Sequence, residues 1–313
     1  MSTILETVRR RFAFSEDELA TYIGTAPYRY KTYKIPKRSG GTREISQPSK
    51  DLKIIQRYIL EEFLNSKFKF HQCATAYQKH KNIADNARPH LHNSYLLKMD
   101  FSDFFPSIKA ADFVGYLRST EIALSEQEAS DLARLFFKHT NSGLRLSIGS
   151  PGSPAISNAL LMTFDSRVHV MVSERDISYT RYSDDMTFST NSKDALFEIP
   201  LLIENILQAL PYPIIRINND KTIFSSRKFN RHVTGVTIDN DGKMSIGHQN
   251  KRILRTRVFE VSKLSVVKIA QLKGYLSFIN QIEPDFIVKL RSKYPAQMRV
   301  LDDATTNIRH KNL

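Results

Sequence analysis

Tyr182-Ser183-Asp184-Asp185-Met186-Thr187 sets two adjacent carboxylates between two largely apolar arms, Ile177 to Tyr182 and Met186 to Ser189. The alternation along these arms predicts a β-hairpin with the acids at its tip. Like charges held side by side disfavour each other's ionised form, and a cation is the simplest relief. A lone Asp-Asp is more often a solvated turn. A second acidic position alters that balance, because Ser94 to Phe101 reads as a mostly buried strand carrying Asp100 near its end. If the two strands are neighbours in one sheet, three carboxylates converge, an oxygen set that suits Mg²⁺. Two such ions about 3.5 to 4 Å apart stabilise the attacking and leaving oxygens of an in-line phosphoryl displacement.

The rest of the composition points to a polyanionic partner. The 313 residues carry 46 Lys+Arg against 32 Asp+Glu, a formal charge of +14, and residues 243–313 hold 14 of the bases but 5 of the acids. A chain of this length accommodates two or three subdomains, and its basic end is C-terminal. No apolar run approaches about 18 residues and the N-terminus lacks the apolar core of a signal peptide, so the expected setting is cytoplasmic, without a membrane. Cys73 is the single cysteine. It allows neither an intramolecular disulfide nor a thiolate zinc cluster, and reads as a packing residue.

Local signals outline the elements. Ser15-Glu16-Asp17-Glu18 and Ser125-Glu126-Gln127-Glu128 read as capping boxes, the first opening a helix that Gly24 ends. Lys37 to Arg43 contains a Gly-Gly turn between extended arms, hence a hairpin with a basic tip. Leu52, Ile55, Ile59 and Phe63 follow helical spacing, with Lys53 and Arg57 on other faces. One long helix is expected from Ala155 to Val172, a helix from Leu201 to Leu210 after Pro200, and strands over Ile214 to Ile217, His232 to Ile238 and Lys243 to Ile246.

With those residues in place, the chain resembles the reverse transcriptase family and, more narrowly, bacterial retron reverse transcriptases of its group II intron-like branch. Leu97-Lys98-Met99-Asp100-Phe101-Ser102-Asp103-Phe104-Phe105-Pro106 is similar to the first palm motif, and Tyr182-Ser183-Asp184-Asp185 to the Tyr-x-Asp-Asp box. Gly149 to Asn158 is similar to the motif between them, and Ile217 to Thr222 to the later lysine-bearing one. Asn86-Ala87-Arg88-Pro89-His90 and Val233-Thr234-Gly235 resemble two retron elements. Each short match is weak; their order along the chain is what makes them specific.

The resemblance implies an α+β right-hand polymerase: an N-terminal helix plus interleaved fingers and palm over 1–240 (fingers mainly 25–95, palm mainly 96–240) and a basic helical thumb over 241–313. It implies Asp100, Asp184 and the Phe101 carbonyl as ligands of two Mg²⁺ ions, for which Mn²⁺ substitutes, with Asp185 in a weaker role. Lys221 would be the general acid for pyrophosphate. Lys37 and Arg43 at the fingers tip would close on the dNTP triphosphate, as would the backbone of Asp103 and Phe104, while Phe105 would sit under the incoming sugar and exclude a 2′-hydroxyl. Gly149, Ser150 and Pro151 would line the nascent pair, although Ile148 stands where a Gln usually precedes the glycine. Asn86, His90, Val233, Thr234 and Gly235, with Lys251, Arg252, Arg255 and Arg257 of the thumb, would bind RNA.

By the same resemblance the partner is a cognate noncoding RNA that serves as template and primer. Synthesis would start from a guanosine 2′-hydroxyl and leave a branched RNA–DNA hybrid, msDNA, in the setting of antiphage defence with an effector protein. Alternatives are a group II intron-like or diversity-generating reverse transcriptase on another RNA, or a noncatalytic RNA-binding scaffold. Nothing in these residues sets an oligomeric state.

Overall fold

The computed structural model describes residues 3–37, 40–120, 122 and 124–303. Arg38 and Ser39 of the basic hairpin tip, and residues 304–313 of the expected thumb, lie outside the described residues. Two compact units divide the chain: Met1–Lys79, Lys98–Met186 and Phe197–Ile223 form the first, and His80–Leu97, Thr187–Leu196 and Phe224–Leu313 the second.

In the first unit, helices Ile4–Arg11 and Glu16–Thr25 precede an antiparallel hairpin of β1 (Tyr30–Pro36) and β2 (Thr42–Pro48). The Ser15/Glu18 box forms as expected, but the helix runs past Gly24 to Thr25, with Pro27 in the short 3₁₀ turn that follows. Only half of the second box forms. Ser125 accepts from the Glu128 N–H, whereas the Glu128 carboxylate accepts from the distant Leu5 N–H at 3.2 Å. A tertiary partner has thus displaced the local one.

β3 (Tyr95–Ser102) follows, then small hairpin strands β4 (Lys138–Thr140) and β5 (Gly143–Arg145). The helix expected from Ala155 to Val172 is two helices, Gly152–Leu160 and Met162–Ser173, broken at Leu161. Gly152 opens the first because a Cβ there would lie 2.4 Å from the Phe136 ring. Phe101, Phe113, Phe136, Phe137 and Phe164 are all buried in this unit, and such rings carry a large share of a core's apolar burial.

β6 (Ser178–Tyr182) and β7 (Asp185–Thr190) flank the acidic turn; β8 (Arg216–Ile217) and β9 (Ile223–Ser226) come later. The strand order β6-β7-β3-β8 places the strand bearing Asp100 directly beside the one bearing Asp185, and β9 also pairs with β3.

The second unit holds a small sheet of β10 (Arg231–Val233), β11 (Val236–Ile238) and β12 (Met244–Ser245). His232 to Ile238, expected as one strand, is a hairpin, because Thr234 and Gly235 take φ of 49° and 82°. Positive φ at both central residues is the two-residue hairpin geometry. The helices His248–Phe259, Val266–Ile282, Pro284–Lys293 and Pro295–Asp303 pack around Leu254, Leu276, Ile279 and Phe286 in one apolar cluster with Val233 and Val236.

Candidate active site

Sheet geometry decides the acidic site. The Phe101 N–H donates to the Asp184 carbonyl at 3.2 Å, so the turn carrying Asp184 is tied to the residue next to Asp100. On the other side of β3, Phe101 pairs with Ile217 and the Asn218 N–H donates to the Asp100 carbonyl at 2.8 Å. This leads the chain into the 3₁₀ turn Asn219–Lys221, from which Lys221 Nζ reaches Asp100 Oδ1 at 2.8 Å. Three segments far apart in sequence therefore meet.

The charges are not balanced. Burial, then the charge of Asp100, raises the Asp184 carboxyl above the usual carboxylate range. Removal from solvent, then repulsion from Asp184 and Asp100, pushes Asp185 up to about 7. Both stay raised although the charge of Lys221 acts to lower Asp184 and that of Lys98 to lower Asp185. Among the described residues, no three His, Cys, Asp or Glu side chains form a ready-made metal cage. The donor chemistry nevertheless fits a divalent ion, because Mg²⁺ keeps several waters and takes only one or two carboxylates alongside substrate phosphates.

Beside the acids, Asp103 takes φ of 43° and starts the short helix Phe104–Ser107. Phe104 is buried and stacked on Phe101 at 5.5 Å, which makes it the core aromatic of the pair. Phe105 is half-buried and lines a cavity of about 260 Å³ with Gly149, Ser150, Pro151, Lys53, Arg57 and Tyr77. In sequence, Lys53 and Arg57 stand only as bases off the apolar face of their helix, and Tyr77 carries no signal of a site. The two bases are four residues apart on the helix Lys50–Ile59.

The β1–β2 hairpin is fastened at this loop. The Ser46 N–H donates to the Ile148 carbonyl at 2.8 Å, the Ser147 hydroxyl to the Ser46 carbonyl at 3.0 Å, and a Cβ on Gly149 would meet Gln47, Ile45 and Ser46 at 3.1 Å. Ser150 turns its hydroxyl to Gln56 Oε1, so its side chain serves the scaffold. Burial raises the Tyr77 phenol above its ordinary value, and the charge of Arg43 offsets a little of that rise. Lys37 is exposed at the other side of the hairpin.

In the second unit the retron-like elements lie elsewhere than expected. Asn86, His90 and Val233, expected to face RNA, are buried. Asn86 Nδ2 donates to Thr234 Oγ1 at 2.6 Å, so the two elements, 148 positions apart, lock each other. His90 Nδ1 lies 2.6 Å from the Ser189 hydroxyl, which accepts from Asn93, and burial holds the His90 pKa down to about 3. These side chains order the interior, and Thr234 and Gly235 form the hairpin turn. Asn86→Ala is expected to cost about 0.5–1.5 kcal/mol by removing the bond from a buried amide to the half-buried Thr234 hydroxyl. A chemical denaturation midpoint equal to wild type would contradict that.

Along His248–Phe259, Arg252 and Arg257 are exposed. Lys251 pairs with Glu283, and Arg255 lies over the Phe286 ring at 5.5 Å. No helix among the described residues is long and apolar enough to cross a membrane.

A sheet that brings a strand-end aspartate, a two-aspartate turn and a lysine together, beside an aromatic- and glycine-lined pocket, is an arrangement suited to a nucleotidyl-transferring enzyme. The family described as reverse transcriptase (RNA-dependent DNA polymerase) matches residues 35–238. The retron Ec83 reverse transcriptase of Escherichia coli is 42% identical over 271 residues, 85% of this chain and 86% of that protein. The retron Ec86 reverse transcriptase of Escherichia coli is 29% identical over 300 residues, 93% of this chain and 90% of that protein. A solved apo telomerase from Candida tropicalis overlaps with a TM-score of 0.48 at 13% identity, covering 88% of this chain and 62% of that one. This chain belongs to the retron reverse transcriptases. It is an RNA-directed DNA polymerase with a right-hand fold, acting with a partner RNA as template.

Proposed function

We propose that this polymerase copies one structured noncoding RNA, using it as both template and primer, from a guanosine 2′-hydroxyl, to give a branched RNA–DNA hybrid. The meeting of Asp100, Asp184, Asp185 and Lys221 carries the chemical part of this reading. Asp100, Asp184 and the Phe101 carbonyl would hold divalent Mg²⁺, or Mn²⁺ in its place, which supplies charge neutralisation at the attacking and leaving oxygens. Asp185 adds negative charge beside them. As the primer hydroxyl loses its proton to solvent and bonds to the α-phosphorus, the bond to pyrophosphate breaks, and Lys221 would give that leaving group a proton.

Phe105 bears on the sugar, and the backbone of Asp103 and Phe104 on the triphosphate. Gly149 to Pro151 line the pairing nucleotide, and Lys37 and Arg43 close from the hairpin. Residues 1–240 would act as fingers and palm and residues 241–313 as thumb, where Arg252 and Arg257 offer exposed charge to the RNA backbone, with Lys251 and Arg255 beside them. A cytoplasmic setting and a role in antiphage defence, with an effector protein restrained by the enzyme and its DNA, complete the proposal.

Sequencing of nucleic acid that copurifies with the protein tests it. A discrete short RNA–DNA species joined at a 2′ branch is the expected result; bulk RNA without DNA would favour a scaffold. Binding of that RNA should also weaken steeply with salt, by about 10³-fold or more between 50 and 200 mM if six or more phosphates are contacted.

A further inference from the structure

Arg181, immediately before the acidic turn, is a fully buried cation. Its Nε and Nη2 make a paired contact with the Asp165 carboxylate at 2.9 and 2.6 Å, and Asp165, itself buried, also accepts from the Tyr179 hydroxyl at 2.9 Å. Nη1 donates to Asn158 Oδ1 at 3.1 Å and to the Ser183 carbonyl at 2.9 Å. The main chain of Arg181 is fixed as well: its N–H donates to the Cys73 carbonyl and its carbonyl accepts from the Thr75 N–H, each at 2.8 Å.

Stability alone does not account for such a residue. A buried ion pair exchanged for apolar side chains of similar volume often leaves stability unchanged or raised. What an apolar side chain could not supply is the bond to Ser183. That residue takes φ of 61°, a left-handed conformation that costs a non-glycine residue about 1–2 kcal/mol and persists only when its surroundings hold it. The Ser183 carbonyl belongs to the peptide plane before the Asp184 Cα, and the Asp184 carbonyl to the plane after it. Arg181 anchors the first, and the Phe101 N–H anchors the second. With both planes fixed, the direction of the Asp184 Cβ is fixed. Tyr77 adds a third hold through its hydroxyl, 3.1 Å from Ser183 Oγ.

We propose that Arg181, set by Asp165 and Asn158, is the positioning residue of the catalytic turn, aiming the Asp184 carboxylate at the site it shares with Asp100. This rests on the reading of Asp100 and Asp184 as the metal-binding acids. The ion pair is the frame and the Ser183 bond is the output, so a variant can keep the fold and lose the aim.

The test compares Arg181→Lys, which keeps a charge opposite Asp165, and the double variant Arg181→Met/Asp165→Leu, which removes both charges, with wild type and Asp100→Ala. Folding is followed by circular dichroism melting, Mn²⁺ binding to the free protein by electron paramagnetic resonance, and kcat and KM on a primed RNA template. In the double variant we expect a cooperative melt, lowered because the Tyr179 hydroxyl and Asn158 each lose a partner, Mn²⁺ affinity lower by about 10–100-fold, kcat lower by about 10²-fold and an unchanged KM for template. Arg181→Lys is expected to fall between that variant and wild type. Either folded variant with wild-type Mn²⁺ affinity and kcat would overturn the role of Arg181. Polymerisation by Asp100→Ala would instead overturn the assignment of the acids.

Discussion

Asp184→Ala is expected to abolish DNA synthesis while leaving the fold intact. On the proposed role of Asp184 as a metal-binding carboxylate, its loss removes several kcal/mol of charge stabilisation from the transition state, which at about 1.4 kcal/mol per decade is roughly 10³-fold or more in rate. The fold should not suffer, because burial and the Asp100 charge already disfavour the ionised Asp184. Removing the carboxylate removes that repulsion, and the melting temperature of the metal-free protein should be unchanged or higher. Asp100→Ala should lose activity to the same extent, but it also frees Lys221 from its partner. Template-directed incorporation by the purified Asp184→Ala protein, or its collapse on melting, would each contradict the expectation.

Phe105→Ala is the second large effect. A half-buried ring beside Gly149 and Pro151, in a cavity of about 260 Å³, leaves little space at that wall. On the proposed placement of the sugar against this ring, truncation would open room for a 2′-hydroxyl and remove steric rejection. We expect discrimination between dNTP and rNTP, read as the ratio of kcat/KM values, to fall by about 10²-fold, or about 3 kcal/mol. Stability should drop less than for Phe104→Ala, because Phe104 is the ring stacked in the core. An unchanged ratio in a folded Phe105→Ala protein would show that another group excludes the ribose.

The two phenylalanines mark how far residue patterns carry. Adjacent aromatics after a strand-end aspartate announce that one of them is core, but which one depends on the left-handed Asp103 and the stacking of Phe104 on Phe101. The expected single strand from His232 to Ile238 failed for a comparable reason. Val233, Val236 and Ile238 read as one apolar run, whereas the positive φ of Thr234 was visible only in the backbone. At Glu128 a local capping signal was complete in sequence and lost to Leu5, 123 positions away.

The retron-like elements show the same division. Their residue types and order identified the family, yet exposure to RNA was expected for Asn86, His90 and Val233, and the structure buries all three. Asn86 and Thr234 hold each other, a pairing that neither short segment could reveal alone.

Family and activity class follow from sequence, because motif chemistry is local: a strand carrying Asp100 near its end, a turn bearing Asp184 and Asp185, and a lysine at 221 are each encoded in a few consecutive residues. Their convergence is a matter of sheet order, β7 beside β3 and β3 beside β8, and sheet order depends on contacts between residues about a hundred positions apart. The part played by Arg181 belongs wholly to the tertiary structure. In sequence it is one base among 46; only burial, which makes an unpaired charge costly and its partners obligatory, turns it into a hold on the acidic turn.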